Sequence, residues 1–442
     1  MSQSPTTKKS NTKKKKKTTT DENTQDQEST PTKKHYIREY KDYLDLQYEF
    51  RRNVLTLEIE VRKIGEDNYQ ILDEAFLNSV WIDMQMDGFK CPDTLLLKML
   101  NSKLTQSYNP LQEYFENLPP YDETIDYIDQ LADTVTIMDI MVEDISLKKL
   151  WSTYLKKWLV GSAATANGMG VNHTCLILVG KQGTGKTSWL NKLCPKEMKD
   201  FLVCSHINPS LTDQNTANYL AEKWFVNIDD QLETIFGKDF NSMKAIITAP
   251  FVTNRKTWHK LTKTRSRICS FMGSVNNPKF LTDTENRRYL VFSTENVNYK
   301  HKVNMNKVWA QALHLAKENY AYWFSQEEMK NLNKINDIYR QVPPEEEWLM
   351  KLFQPCEPTH PQAQFMMPSE ILTKLNAWSN MKLSIRKLSS AMQKLNFGEA
   401  VSKRVDGMGA RKVYPVIERN QTDEDNLQHQ LRNLHQTTVS NN

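Results

Sequence analysis

The chain has 442 residues and a formal net charge of +5; 39% of its residues are hydrophobic and 25% are charged. This length and composition predict two or three domains with buried cores. No stretch approaches 18 consecutive apolar residues and no apolar segment opens the chain, so we expect a cytoplasmic protein that neither spans a membrane nor is secreted. The six cysteines form no CxxC pair, which disfavours a disulfide framework or a zinc site.

Positive charge is concentrated at the N-terminus. Residues 1–35 hold nine of the 58 basic residues and four of the 53 acidic residues, so the rest of the chain is formally neutral. This segment has almost no apolar residue and is predicted to be disordered. Its run Lys13–Lys17 has two open interpretations, a loose contact with phosphate backbones and a solubilising tail.

Helical periodicity dominates the next part of the chain. Short apolar runs within residues 36–120 predict a small, mainly helical N-terminal domain. Residues 121–166 then carry a strong helical signal, in which apolar residues from Ile145 to Leu159 recur at three- and four-residue spacing. The lysine pairs between them favour a solvated face. They are Lys148, Lys149, Lys156 and Lys157.

Strand-like apolar segments that alternate with amphipathic ones follow the long helix. This alternation predicts an α/β sheet covered on both faces, within a domain spanning residues 121–340. A proline-containing segment, residues 341–365, is predicted to link it to a C-terminal module at 366–419, and residues 420–442 are predicted to be disordered. The predicted strands are Thr174–Val179, Phe201–Ser205, Trp224–Ile228, Arg267–Val275 and Tyr289–Ser293.

The first of these strands leads directly into a glycine-rich loop and a helical segment. The loop has the G-x-x-x-x-G-K-[ST] pattern in the strand–loop–helix context that a P-loop requires, and this context disfavours a chance glycine-rich turn. Its glycines allow backbone N–H groups to turn inward around phosphates. Lys186 would place a charge on the phosphates, and the Thr187 hydroxyl would bind Mg²⁺. We therefore predict an ATP and Mg²⁺ site formed by Gly180, Lys181, Gln182, Gly183, Thr184, Gly185, Lys186, Thr187 and Ser188.

A pair of carboxylates, Asp229 and Asp230, ends the strand Trp224–Ile228. In a P-loop site the first carboxylate orients Mg²⁺ and the second can polarise the attacking water. Glu233 is a weaker candidate for the base. The competing interpretation is a solvated strand end, but the position about forty residues after the glycine loop favours the catalytic one.

Two further polar pairs complete the predicted catalytic set. Asn276 and Asn277 end the next strand, where one of them could position the lytic water or form an ordinary turn. Arg287 and Arg288 follow eleven residues later, and arginine suits a bidentate contact with a phosphate. Such an arginine would act as a finger on the nucleotide of a neighbouring subunit.

Together these motifs resemble the virulence-associated protein E family, P-loop proteins of bacterial mobile elements and phages that are related to superfamily 3 helicases. The resemblance covers roughly residues 40–300 and rests on the order of its motifs. It implies an AAA+-like helicase core that forms homo-oligomeric rings, such as hexamers, with ATP at the subunit interfaces in the bacterial cytoplasm. It also implies roles for Lys186 and Thr187 in nucleotide binding, Asp229 and Asp230 as Walker B, Asn276 as sensor 1, and Arg287 or Arg288 as the trans-acting finger. The matching segments are 109–119, 156–160, 178–187, 227–230 and 280–289. No primase domain with an acidic metal cluster is recognisable before residue 120, so primase activity is not implied.

A basic segment lies between the carboxylate pair and Asn276, where superfamily 3 enzymes carry a hairpin that grips single-stranded DNA. Residues 255–267 contain six Lys or Arg residues with Trp258 and His259 among them. Interleaved charge and aromatic rings suit backbone tracking with base stacking, although a solvated hairpin is an equally good interpretation of the residues alone. The predicted DNA contacts are Arg255, Lys256, His259, Lys260, Lys263 and Arg265.

The C-terminal module is predicted to contain two helices, Pro368–Leu375 and Ser384–Leu395, and then a hairpin of Ala400–Val405 and Arg411–Val416. Helix, helix, hairpin is the order of a winged helix, whose second helix can enter a major groove. A protein-binding role is the alternative. The predicted phosphate contacts are Arg386, Lys387, Lys394, Lys403, Arg404, Arg411 and Lys412.

The leading functional hypothesis is an ATP-dependent DNA helicase or translocase of a bacterial mobile element or phage replication system, acting on single-stranded or duplex DNA. One alternative is a non-translocating factor in which ATP switches DNA binding or loading. A second is a P-loop kinase of a small molecule, which the Asp-Asp, Asn and Arg-Arg series disfavours because that series suits ring ATPases.

Overall fold

The structure is a computed structural model that describes residues 34–229, 231–235, 238–254, 262–282, 286–405 and 409–419. The chain divides into two compact units. In the described part, the N-terminal unit comprises residues 34–52 and 58–107, and the main unit comprises residues 53–57 and those from 108 onwards.

The N-terminal unit combines helices with a sheet, whereas the sequence predicted a mainly helical domain. Its elements are α1 (Lys34–Gln47), β1 (Tyr48–Asn53), β2 (Ile59–Lys63), β3 (Gln70–Ile71), α2 (Glu74–Met86), α3 (Asp93–Leu100) and β4 (Gln106–Tyr108). The strands form a sheet in the order β3-β2-β1-β4. Strand β2 buries Ile59 and Val61 and leaves Glu60 and Arg62 partly exposed. This two-residue alternation is typical of a strand, and the helical prediction overlooked it.

The boundary between the units lies near residue 107, whereas the sequence analysis placed it at residue 120. Helix α4 (Pro110–Glu116) contributes Leu111, Tyr114 and Phe115 to the core of the main unit. The rings of Tyr114 and Phe115 lie 5.6 Å and 5.1 Å from the ring of Trp224. Residues 108–120 therefore belong to the main unit because their apolar side chains are buried there.

A six-stranded sheet forms the centre of the main unit. Its elements before the C-terminal region are α5 (Tyr127–Ala132), β5 (Val135–Ile137), β6 (Met141–Val142), β7 (Ile145–Ser146), α6 (Leu147–Ala166), β8 (Cys175–Val179), α7 (Lys186–Lys192), β9 (Leu202–Cys204), α8 (Gln214–Glu222), β10 (Phe225–Asn227), α9 (Lys238–Thr248), β11 (Phe251–Asn254), β12 (Lys263–Ser266), β13 (Ser270–Val275), β14 (Tyr289–Val297), α10 (Met305–Lys317) and α11 (Gln326–Asp337). The sheet order is β5-β14-β8-β13-β10-β9. All five strands from β14 to β9 are parallel, and β5 is an antiparallel edge strand. Each predicted strand coincides with one of the parallel strands, so the predicted α/β architecture is confirmed.

Helix α6 packs against this sheet through tryptophan. The ring of Trp158 stacks on that of Phe225 at 5.9 Å, and the indole N–H donates to the Phe271 carbonyl. The prediction of a wholly solvated lysine face is wrong at Lys157, which is 8% exposed and bonds to Glu328 at 2.7 Å. A partner distant in sequence neutralises this lysine, so its charge did not mark an exposed position.

The C-terminal region begins earlier than predicted. Its elements are α12 (Pro344–Leu352), β15 (Phe353–Pro355), β16 (Gln364–Met366), α13 (Pro368–Ser379), α14 (Ile385–Lys394), β17 (Val401–Val405) and β18 (Gly409–Glu418). Residues 341–365 are not a linker, because α12 buries Leu349 and Leu352 in the C-terminal core and β15 pairs with β18. Helices α13 and α14 and the hairpin β17–β18 follow in the predicted order, while the winged-helix class stays a prediction. None of the helices among the described residues is long and apolar enough to cross a membrane.

Candidate nucleotide-binding site

The glycine-rich loop connects the buried strand β8 to helix α7 at the carboxyl edge of the parallel sheet. Gly183 and Gly185 adopt φ values of +80° and +88°, in the left-handed region that favours glycine. The loop borders a cavity of about 380 Å³. The cavity is lined by Gln182, Gly183, Gly185, Lys186, Thr187, Ser188, Asp229, Ser274, Asn276 and Tyr299. The fold thus places loop residues and residues from three other strand ends around one space.

Lys186 is held inside this loop and is only 4% exposed. Its ammonium donates to the carbonyl oxygens of Gly180 at 2.7 Å and Lys181 at 2.8 Å, and to Oδ1 of Asn276 at 3.1 Å. Two residues that the sequence places ninety positions apart therefore share one hydrogen bond. The lysine charge and the predicted sensor lie together at the loop.

A second polar group joins the end of β10 to α7. The Thr187 hydroxyl donates to Oδ2 of Asp229 at 2.9 Å. Ser274, on β13, donates to the other carboxylate oxygen of Asp229 and lies 3.0 Å from the Thr187 hydroxyl. Ser274 was not among the predicted site residues; its signal in the sequence is a polar residue two positions before Asn276 in a largely apolar strand that also contains Ser270.

The oxygen atoms of Thr187 and Asp229 fit Mg²⁺ better than a softer metal. No group of three or more His, Cys, Asp or Glu residues that could hold a metal occurs among the described residues. A protein-only metal cage is therefore not found in that part of the chain. Mg²⁺ needs no such cage, because it is commonly bound through one or two carboxylates, substrate phosphates and water.

The candidates for the catalytic base have different outcomes. Asp230 lies outside the described residues, so its role stays a prediction. Glu233 accepts hydrogen bonds from the backbone N–H of Asn276 and, at 3.0 Å, of Asn277. Its carboxylate therefore holds the backbone at the end of β13. This contact favours a role in positioning Asn276 over a role as the catalytic base.

Arg287 and Arg288 lie at the opposite edge of the sheet. Strand β14 starts at Tyr289, which is in register with Cys175 at the start of β8, and the Arg288 carbonyl accepts from the Cys175 N–H at 2.8 Å. Five strand residues at about 3.3 Å each separate this edge from the glycine loop, a distance of about 16 Å. Arg287 is exposed, whereas Nε of Arg288 is buried without a hydrogen-bond partner among the described residues.

The predicted DNA-binding residues of the basic segment fall into three groups. Arg255, Lys256, His259 and Lys260 lie outside the described residues. Lys263 is exposed on β12, which pairs with β11 as an antiparallel hairpin. Arg265 is bonded to Glu222 at 2.8 Å and to Asn218 at 2.9 Å, so its assignment as a DNA contact is corrected to a structural role.

In the C-terminal region Arg386, Lys387 and Arg404 are exposed, as a phosphate contact requires. Lys394 instead pairs with Asp337 of α11 at 3.0 Å and with Glu346 of α12 at 3.2 Å. Its partners make it a connection between helices, which corrects its predicted role as a phosphate contact. The remaining predicted contacts are exposed at Lys403, Arg411 and Lys412.

Fold and site together define a mixed α/β protein with a polar cluster at the carboxyl edge of a mainly parallel sheet. The family model described as "Virulence-associated protein E-like domain" matches residues 124–341, which include the whole sheet and the cluster. These residues are therefore similar to the virulence-associated protein E family, as the sequence motifs indicated. No curated protein sequence matches.

The chain is also similar to solved structures of another protein. "The apo structure of NrS-1 C terminal region (305-718)" has 12% identity and a TM-score of 0.47, and the match covers 88% of this chain and 100% of that chain. An A form apo structure of the same region has 14% identity and a TM-score of 0.43, with the same coverage.

Proposed function

We propose that this protein is a Mg²⁺-dependent ATPase that acts on DNA as a helicase or translocase in the replication of a bacterial mobile element or phage. The observation that carries the proposal is the convergence of Lys186, Asn276, Thr187 and Asp229 beside the glycine loop. The four residues come from three separate motifs, because Lys186 and Thr187 both belong to the glycine loop, and a P-loop ATPase needs all four within reach of one triphosphate.

The chemistry follows from the atoms that the cluster presents. Lys186 would exchange its carbonyl partners for phosphate oxygens, which bind an ammonium more strongly because they are charged. Thr187 and Asp229 would hold Mg²⁺, which when bound neutralises charge on the phosphate oxygens. Asn276 would orient the attacking water, and Asp230 would accept its proton.

The arginine positions support action between subunits. Because Arg287 and Arg288 lie about 16 Å from the loop of their own chain, an arginine side chain cannot span the gap. A finger role would therefore require a neighbouring copy, as in a ring with ATP at each interface.

The DNA part of the proposal is supported by the exposed hairpin residue Lys263 and by the exposed basic residues of the C-terminal region, Arg386 and Arg404. Phosphate contacts by exposed lysine and arginine give salt-dependent binding that does not read sequence.

The test measures ATP hydrolysis and oligomer mass for the wild type and Lys186→Ala, with and without single-stranded and duplex DNA. We expect the wild type to hydrolyse ATP only with Mg²⁺ and faster with single-stranded DNA, and the variant to lose turnover. Lys148→Ala, a matched change at an exposed lysine of α6, should retain the wild-type rate. Wild-type protein that binds no ATP with Mg²⁺ would refute the proposal. Hydrolysis that no DNA stimulates would exclude the motor and favour a switch or a kinase.

A further inference from the structure

Tyr299 brings an aromatic ring to the edge of the phosphate cavity. It lies two residues after the end of β14, and its side chain packs on Gly185 of the glycine loop. A Cβ atom added to Gly185 would lie only 2.2 Å from Cδ1 of the tyrosine ring and 2.9 Å from Cε1. The ring therefore touches the loop backbone directly, yet the residue is 39% exposed.

The backbone around Tyr299 fixes the position of the ring. Asn298 N–H donates to the Thr134 carbonyl at 2.9 Å, and Tyr299 N–H donates to the Val297 carbonyl at 3.0 Å. From helix α7, the Lys192 ammonium contacts the Tyr299 carbonyl at 3.5 Å and also donates to the carbonyl of His301. Hydrogen bonds from the sheet and from α7 thus hold this segment, so the ring is preorganised at the cavity.

The ring and the metal-binding oxygens lie on opposite sides of β8. Asp229 and Ser274 come from β10 and β13, which follow β8 on one side of the sheet order, whereas Tyr299 follows β14 on the other side. A triphosphate whose terminal phosphates meet Lys186 and Asp229 would extend its nucleoside end away from the carboxylate. That direction leads toward Tyr299.

The rest of the described cavity lining offers no flat surface on which a base could stack. It consists of glycines and polar or charged residues, so Tyr299 is the aromatic member of that lining. A base presents a flat π-face that stacks on aromatic side chains regardless of base identity, and such stacking is worth about 1–3 kcal/mol per base.

We propose that Tyr299 stacks on the base of the bound nucleotide and thereby favours a nucleoside triphosphate over inorganic polyphosphate. This inference rests on the proposed function, because it assumes that the glycine loop binds the phosphates. Phosphate contacts alone do not distinguish a nucleoside triphosphate from inorganic polyphosphate, and Tyr299 would supply the contact that recognises the nucleoside.

The test compares Mg²⁺–ATP with Mg²⁺–tripolyphosphate as ligands of the wild type, Tyr299→Ala and Tyr299→Phe by isothermal titration calorimetry. We expect Tyr299→Ala to weaken ATP binding by about tenfold, within a range of about 5- to 150-fold that corresponds to the stacking energy. Tripolyphosphate binding should change less than about twofold, because it has no base to lose. Tyr299→Phe should bind both ligands like the wild type, because stacking needs the ring and not the hydroxyl.

Several outcomes would overturn the inference. Equal weakening of both ligands by Tyr299→Ala would mean that the ring only supports Gly185, and unchanged binding of both would mean that it does neither. A Tyr299→Phe variant as weak as the alanine variant would assign the effect to the hydroxyl. Intact tripolyphosphate binding by Tyr299→Ala with weakened ATP binding also shows that the variant is folded. Wild-type protein that binds neither ligand would refute the proposed function itself, and the stacking role with it.

Discussion

Arg265 lies in the basic hairpin, and a substitution there distinguishes a DNA-contacting role from a role in stabilising the fold. Its guanidinium donates to Glu222 at 2.8 Å, to Oδ1 of Asn218 at 2.9 Å and to the Leu55 carbonyl at 2.9 Å. The side chains of the ion pair are only 10% and 12% exposed. Solvent therefore screens this ion pair far less than it screens a surface pair. Each charge then relies on the other to offset its own cost of burial.

The perturbation is Arg265→Met, which keeps an apolar stem and removes the charge. It removes the Arg265 cation from the nearly buried carboxylate of Glu222, and the loss of one member of such an ion pair typically costs about 3–5 kcal/mol. Because the remaining exposure allows some hydration, we expect the lower end, about 3 kcal/mol of the free energy of unfolding. That is a large share of the 5–15 kcal/mol that is typical of a domain.

The assay is urea unfolding followed by tryptophan fluorescence, which reports on the buried indoles of the main unit such as Trp158 and Trp224. Lys263→Met is the matched control, because Lys263 precedes Arg265 by two residues on the same strand and is exposed. It should leave the unfolding midpoint unchanged. The double variant Glu222→Gln with Arg265→Met should be more stable than Arg265→Met alone, since the carboxylate charge is removed together with the guanidinium charge.

An Arg265→Met variant that unfolds at the wild-type urea concentration would show that the ion pair does not stabilise the fold. If that variant also loses DNA binding while it stays fully stable, the original assignment of Arg265 as a DNA contact is restored.

Three further predictions concern the hairpin, the arginine pair and a buried histidine. Lys263→Ala should reduce the stimulation of ATP hydrolysis by single-stranded DNA and leave the DNA-independent rate unchanged, and equal stimulation of variant and wild type would exclude the contact. Arg287→Ala with Arg288→Ala should abolish turnover and keep nucleotide binding, measured by calorimetry beside a rate assay; normal turnover would disprove the finger. Burial, with a contribution from Lys192, lowers the pKa of His301 to about 4. The unfolded chain therefore takes up a proton before the folded one does, and the free energy of unfolding should fall as the pH decreases from about 6.5 to about 4. Urea unfolding across this range should show a shallower decrease for His301→Gln, and identical profiles would contradict the assignment.

The sequence predicted the parallel sheet and the glycine loop well because both depend on local patterns. Strands such as Cys175–Val179 are continuous apolar runs, and the spacing of glycines, Lys186 and Thr187 within one loop is a short-range signal. Since parallel strands share a carboxyl edge, the segments that follow them meet there, as Lys186 after β8 and Asn276 after β13 do.

Charge pattern was a weaker guide, because a charged residue looks the same in sequence whether water or a distant partner neutralises it. Lys157 and Glu328 are 171 residues apart, and Arg265 and Glu222 are 43 apart. Neither pair has a spacing that predicts contact. Ser274 was overlooked for a related reason, since the two serines inside this largely apolar strand do not change the strand pattern.

The arginine pair shows how topology converts a short sequence distance into a long spatial one. Arg287 follows Asn276 by eleven residues, yet Asn276 lies at the carboxyl ends of the parallel strands and Arg287 lies at their amino ends. Strand β13 ends at the carboxyl edge, and β14, which is parallel to β8 as β13 is, must begin at the amino edge. The chain between them has to return across the height of the sheet. Any arginine placed just before β14 is thereby kept from the glycine loop of its own chain, so under the proposed function only a second copy could bring such a residue to the phosphates of a nucleotide bound there.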